Sequence, residues 1–368
     1  MVYVDIVSIA YHIVYHFDAC MLVYIIMRLK RFLLFYTAYC ISQSLRYRHY
    51  LSRTALPSRY NTVWYNLLQC NDDRAWITLL SIDRRTFTSL YTVFSNHYDP
   101  SPQFSMRSVD VLGLCLLYVT SKCERNKLQC IFSITLASYS RHLSNGLKAL
   151  ELTVSEHPDC YIRWPRGNDF NTFSTYITTW ESQLNDYNVW GFVDGVFFQI
   201  QNPRDEATQN AYYNSWRAYC SVTNVIVFTP DGCICWVSYN NPGSWHDSMV
   251  ASRLYETLID HSPNGYHIVG DSAFNQSSRI LTPRKENQHY SDDSIVAQQQ
   301  KLLNTAIIRV RQAVEWGNGN IQYIYKRLNS ILPYDVEGNK RLLKIIFHLF
   351  NLRARRVGLN QIRSVFYY

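Results

Sequence analysis

Between Trp190 and Phe274, two apolar runs of β type stop on an aspartate followed by a small residue: Phe192-Val193-Asp194-Gly195 and Ile268-Val269-Gly270-Asp271-Ser272. An aspartate at the end of a buried strand has no packing role and is costly to desolvate unless something cationic meets it. Two of them in one stretch point to a shared metal site. That pair limits what the chain can fold into, because the two strand ends must be neighbours.

The elements around the pair fit such an arrangement. Trp190 to Ile200 reads as a strand, and two more, ending at Phe228 and running from Cys233 to Tyr239, are joined at Pro230-Asp231-Gly232. Asp-Gly between alternating apolar runs is a strong hairpin signal. Asn241-Pro242-Gly243-Ser244 turns the chain into a helix from Asp247 to about Asp260, and Pro263-Asn264-Gly265 turns it back into a strand from Tyr266 to Gly270. An antiparallel hairpin within three strands, then a helix, then a fourth strand is the order of a ribonuclease-H-like fold. The class is α/β (α+β) with a mixed sheet. Residues 284–304 are polar and read as a mobile connection, and a long helix follows from Thr305 to about Leu328, weakened in its middle by Gly317 and Gly319.

On this topology the first and fourth strands lie side by side, so Asp194 and Asp271 face each other at their carboxyl ends. The late helix buries Ile307, Ile308, Val310 and Val314 and brings Glu315 to the edge of the site. Three carboxylates suit hard divalent cations, Mg²⁺ or Mn²⁺, which take oxygen ligands. Two ions about 3.5–4 Å apart would activate a water or a 3′-hydroxyl and stabilise the leaving oxygen of a phosphodiester. Asp194, Asp271 and Glu315 are therefore the expected catalytic and metal-ligating residues. At His246-Asp247 the ordinary reading is that Asp247 caps the helix it begins; an auxiliary metal or orienting role for Asp247 and His246 is the alternative. Ser244, His246 and Asp247 do not make a hydrolase triad, since adjacent side chains cannot form that relay. Arg284 and Lys285 read as solvated loop, with contact to a scissile phosphate as the alternative. Tyr212, Tyr213 and Trp216 read as packing at the sheet edge, with stacking on unpaired bases as the alternative.

Upstream, the chain is helical. Two short helices are expected in 60–104, with caps at Asn71-Asp72-Asp73 and Asp83, and Asp99-Pro100-Ser101-Pro102 closes that unit. A helix from Val109 to Val119, a short one from Leu128 to Phe132, a turn at Ser133-Ile134-Thr135 and a helix from Leu136 or Ala137 to Leu150 follow the pattern of a helix-turn-helix. Ser138, Tyr139, Arg141, His142 and Lys148 are placed on the outer face of its last helix as DNA contacts.

With 368 residues, two or three domains are expected. They are a tail at 1–59, a helical region at 60–185 with its helix-turn-helix at about 107–150, a catalytic domain at 186–335, and a closing helix with a basic tail at 336–368. The net charge of +8 favours a polyanionic partner where it is clustered. Ten cysteines without a CxxC pair or zinc spacing point to reduced thiols in a cytosolic or nuclear setting, and Asn275-Gln276-Ser277 is read as a chance glycosylation triplet. In the N-terminal 50 residues, Cys20–Met27 and Phe32–Tyr39 are apolar but are separated by Arg28, Lys30 and Arg31, so neither reaches the roughly 18 residues of a membrane span. A packed or interfacial helix is expected there, followed by the basic patch Arg46-Tyr47-Arg48-His49.

The segments GFVDGVFFQI, YYNSWRAYCSVTNVIVFTPDG, PGSWHDSMVASRLYE, VGDSAF, RQAVEWGN and NLRARRVGLNQIRSVF resemble the PIF/Harbinger transposases and their domesticated nuclease relatives. The resemblance covers about 107–366, and most firmly 190–330. It implies a DDE endonuclease or transposase acting on double-stranded DNA, with its acids in D-G, G-D and V-E motifs, here Asp194, Asp271 and Glu315. Where many members continue the last motif as E-R-x-F-G, this chain reads Glu315-Trp316-Gly317-Asn318. The resemblance also implies a Myb-like accessory protein and a nuclear location; homo-oligomers are compatible with it. A domesticated, non-cleaving DNA-binding or partner-recruiting protein is the alternative.

Overall fold

A computed structural model describes residues 3–47, 51–99, 106–274, 279–284, 290 and 293–367. Pro100-Ser101-Pro102, the 275–277 triplet, Lys285 and the Arg48-His49 pair lie outside them. By its internal contacts the chain divides into Met1–Ser52 and Arg53–Tyr368.

The first unit holds one helix, α1 (Tyr3–Tyr47), which runs unbroken through Arg28, Lys30 and Arg31. Charge interrupts an apolar run but not a helix, since Arg and Lys are good helix formers. Its Val7–Ser44 stretch has a mean hydropathy of 1.5 and is long and apolar enough to cross a membrane, by length and composition.

The second unit begins with α2 (Val63–Gln69), α3 (Asp73–Leu80) and α4 (Arg84–His97), three helices where two were expected. Asp72 and Asp83 cap α3 and α4 as anticipated, and the additional α2 is capped by Thr62, whose hydroxyl accepts from Tyr65 N. Next come α5 (Ser108–Thr120), α6 (Arg125–Phe132) and α7 (Leu136–Glu156). Trp64 ties α2 to α5: its indole donates to Asp110 Oδ1 at 2.9 Å, and its ring lies over Gly113, where a Cβ would come within 2.1 Å of it. Gly146 of α7 likewise meets Val111 and Cys115 of α5, each 2.6 Å from a built Cβ.

After α8 (Asp169–Trp180) the sheet is built from β1 (Val189–Gln199), β2 (Tyr213–Asn214), β3 (Tyr219–Phe228), β4 (Ile234–Pro242), β5 (His267–Gly270) and β6 (Ile280–Leu281). Between strands lie α9 (Glu206–Tyr212), α10 (Asp247–Val250) and α11 (Ser252–His261); α12 (Ser294–Ile324), α13 (Val336–Arg356) and α14 (Gln361–Phe366) close the chain. β3 runs antiparallel to both β1 and β4, whereas β5 is parallel to β1 and β6 to β5. β3 and β4 turn at Asp231-Gly232, where Gly232 has φ +81°, a backbone only glycine adopts without strain.

Two boundaries differ from expectation. α12 starts at Ser294, eleven residues before the expected Thr305, because Asp293 accepts from the backbone of Ile295 and Val296 and the Gln/Lys/Leu-rich sequence that follows propagates a helix. Gly317 does not weaken it, since a Cβ there would meet Phe228 at 2.8 Å; the glycine is where helix and sheet touch. The boundary expected near 185 does not divide the core either: one hydrophobic cluster runs from Trp64 and Phe94 through Phe192 and Phe228 to Phe350 and Phe366. α13 bridges it, with buried Asn351 bonding Ile234 N and O on β4 and Tyr161 O.

Candidate active site

β1 and β5 are parallel, with Val193 opposite Gly270, so Asp194 and Asp271 occupy the next positions; Asp271 follows the end of β5 as expected, whereas Asp194 lies within β1, which stays paired with β3 as far as Gln199. Gly270 permits this approach, because a Cβ there would come within 2.8 Å of Val193. Burial pushes the Asp194 carboxyl up to about 7; the Gly195 backbone hydrogen bond and Arg311 oppose the rise, while Asp247 and Asp271 add to it. Asp271 accepts from Ser272 N at 2.6 Å.

Asp247 belongs to the same cluster. It does not cap α10, contrary to the ordinary reading of the sequence: His246 is the N-cap and accepts from Ser248 N. The Asp247 carboxylate instead covers Gly195, whose built Cβ would lie 2.5 Å from its Oδ2. Its Oδ1 is buried with no partner. Burial raises the Asp247 carboxyl, and Asp271 adds to the rise, against His246 and Arg217. His246 has turned away to cap the helix and bond Ser248 Oγ at 2.9 Å.

The third side of the cluster is one face of α12. Arg311, Glu315 and Asn318 are spaced four and three residues apart, so they share a face. Arg311 Nη2 lies 3.2 Å from Glu315 Oε1 and its Nη1 3.9 Å from Asp271 Oδ1. Asn318 Nδ2 donates to Asp194 Oδ2 at 3.2 Å. Sequence reasoning passed over Asn318 and Arg311, and the only available signal was their helical spacing from Glu315. Asp194, Glu315 and Asn318 open into a groove of about 480 Å³ that also reaches Arg217 and Gln199.

Among the described residues, no three His, Cys, Asp or Glu side chains converge closely enough to hold an ion as they stand. The donor chemistry nevertheless fits a divalent cation. Two carboxylates, Asp194 and Asp247, are largely buried, while Asp271 and Glu315 reach solvent beside them, and the Asp247 Oδ1 and Asn318 Oδ1 acceptors are buried without partners. Arg311 supplies positive charge there, spanning Asp271 and Glu315.

The helix-turn-helix residues divide. α5, α6 and α7 lie where expected, and Arg141 and Lys148 are exposed with Ser138 half-buried. Tyr139 and His142 do not lie on the outer face. They are buried, with His142 Nδ1 2.9 Å from the hydroxyl of Tyr98, because their side of α7 packs on α4 and α5.

Residues 193–351 match the family model of the DDE superfamily endonucleases. This stretch is similar to those enzymes. The match begins one residue before Asp194 and contains Asp247, Asp271, Arg311, Glu315 and Asn318, and it supports a nuclease or transposase activity. No curated protein and no solved structure matches the chain.

Proposed function

We propose that the chain is a metal-dependent DNA endonuclease or transposase of ribonuclease-H-like fold, with Asp194, Asp271 and Glu315 as its DDE acids. The observation that carries this reading is the adjacency of Asp194, within β1, and Asp271, just past the end of the neighbouring β5, inside the segment similar to DDE endonucleases, with Asp194 pushed up to about 7. Two largely buried carboxylates beside a third, offset in part by Arg311, are costly to ionise together unless a further cation is part of the working state. Mg²⁺ or Mn²⁺, as one or two ions, would be held by these three acids with Asp247 as an auxiliary ligand, and would supply Lewis-acid stabilisation and an activated water or 3′-hydroxyl. Asp194 ionises to take up this role, and Asn318 fixes its carboxylate plane. The groove beside them exposes Arg217 for a phosphate.

Double-stranded DNA is the proposed substrate, approached also by Ser138, Arg141 and Lys148 of α7. A complete transposase would go on to join the freed 3′-hydroxyl to a target strand. A nuclear location, a Myb-like accessory protein and a homo-oligomeric assembly are part of the same proposal. The long, largely apolar α1 carries a second reading for residues 3–47 alone, a membrane tether, which fractionation of cells with and without that segment would test.

The deciding experiment is plasmid cleavage by purified protein in Mg²⁺, Mn²⁺ and EDTA, beside Asp194→Ala, Asp271→Ala and Glu315→Ala. Metal-dependent nicking that each substitution abolishes, with DNA binding retained, is expected. Cleavage surviving in Asp194→Ala would sink the assignment of the acids. Folded protein that binds DNA but never nicks it would favour the non-cleaving alternative.

A further inference from the structure

Trp216 is 95% exposed, the most exposed large apolar side chain among the described residues, yet its backbone is tightly held. It sits in the turn between β2 and β3, where Asn214 Oδ1 accepts from Arg217 N at 3.1 Å and Asn214 O accepts from Ala218 N at 2.9 Å. Ala218 closes the turn at φ 56°, a left-handed conformation that costs a non-glycine residue energy and persists only where surroundings impose it. The buried Asn214 amide also donates to Gly243 O at 3.0 Å. Gly243 is wedged so closely that a Cβ would lie 2.4 Å from the carbonyls of Ser221 and Tyr212. The clamp therefore fixes the Trp216 turn against the loop bearing Trp245, itself 42% exposed.

Trp216 and Trp245 both border an open slot of about 320 Å³, also lined by Tyr213, His246 and Asp247. That is the lower end of the range of small-ligand pockets, roughly 300–1,000 Å³. Arg217 and Phe197 line both this slot and the groove at Asp194, with the guanidinium held 4.9 Å above the Phe197 ring. A planar aromatic site, a fixed cation and the carboxylate cluster thus follow one another along a continuous surface.

We infer that this slot takes an unpaired nucleobase of the strand being cut, stacked on Trp216 and Trp245, while Arg217 meets the adjoining phosphate. The inference rests on the nuclease reading for its choice of ligand. A base has the flat π-face such rings bind, and its phosphate supplies the negative charge Arg217 matches. A base inside a duplex cannot reach the slot without leaving its stack, so the site selects single-stranded or extruded nucleotides.

The test is fluorescence anisotropy in EDTA, so that no cleavage occurs, using the full chain with a labelled single-stranded oligonucleotide and the same sequence as a duplex. Base stacking contributes on the order of 1–3 kcal/mol, so Trp216→Ala should weaken single-strand binding about 5- to 150-fold. Duplex affinity should change less than about twofold, and Trp216→Phe should restore most of the loss. Single-strand affinity equal in wild type and Trp216→Ala, or equal losses on single strand and duplex, would overturn the slot. Because Trp216 is almost fully exposed, its loss leaves the core untouched, and an unchanged melting temperature checks this. Cleavage assays run separately: Trp216-dependent single-strand binding without nicking would remove only the nuclease reading, and nicking with Trp216-independent binding would remove only the slot.

Discussion

The carboxylate of Asp247 occupies the space that a side chain on residue 195 would need, its Oδ2 2.5 Å from a Cβ built on Gly195. The D-G pair in β1 thus brings Asp194 to the site by its aspartate and admits Asp247 by its glycine. Gly195→Ala should push Asp247 out of the cluster at an overpacking cost of about 1–3 kcal/mol. Nicking should fall at least tenfold while the protein still folds. Asp247→Asn, which keeps the shape and removes the charge, separates the two causes. Nicking by Asp247→Asn at the wild-type rate would show that the charge of Asp247 has no part in the reaction.

Asp194 gives the protein a pH dependence whose sign follows from its shift. Its carboxyl ionises near 3.8 in an unperturbed chain and at about 7 in the folded protein. Between those values the folded state holds a proton that the unfolded state has lost, so this group's contribution falls as pH rises across the window and levels off above it. Asp194→Asn should therefore be more stable than wild type at pH 8, by on the order of 4 kcal/mol, with the two converging near pH 4. Thermal melts of both in EDTA from pH 4 to 8 measure the difference. Mn²⁺ should stabilise the wild type more at pH 8 than at pH 5.5, because a ligand must be deprotonated to bind.

Arg311 supplies positive charge between Asp271 and Glu315. Arg311→Met should lower the melting temperature in EDTA by leaving the acids to repel one another. It should also lower the Mn²⁺ concentration for half-maximal stabilisation, since a competing cation is gone. A thermal-shift titration reads both, and a rise in that concentration would show that Arg311 assists the site.

On α7, the structure separates surface from core. Arg141→Ala and Lys148→Ala should each weaken DNA binding and reduce the salt slope by about 1, with unchanged melting temperature, if those exposed cations meet phosphates. Tyr139→Ala should act on stability instead, at about 3–5 kcal/mol for a buried aromatic ring. Binding titrations at two salt concentrations beside denaturant melts distinguish the two classes.

What the sequence determined by itself is what local patterns encode. Apolar runs ending in Asp194 and Asp271 marked the adjacent strands, Asp231-Gly232 marked the hairpin, and Asp72 and Asp83 marked helix starts. Each signal lies within a few residues of the feature it specifies. Tertiary packing decided the rest. Tyr139 and His142 look polar enough for a surface but face α4 and α5, and nothing local to α7 reports which side its neighbours cover. Asp247 has the sequence position of a cap, but His246 takes the cap and leaves the carboxylate to lie over Gly195, 52 residues earlier in the chain. Asn318 becomes a partner of Asp194 only because Gly317 lets α12 settle onto Phe228. Those contacts join residues far apart in the chain, and they exist only once the sheet and its helices have packed.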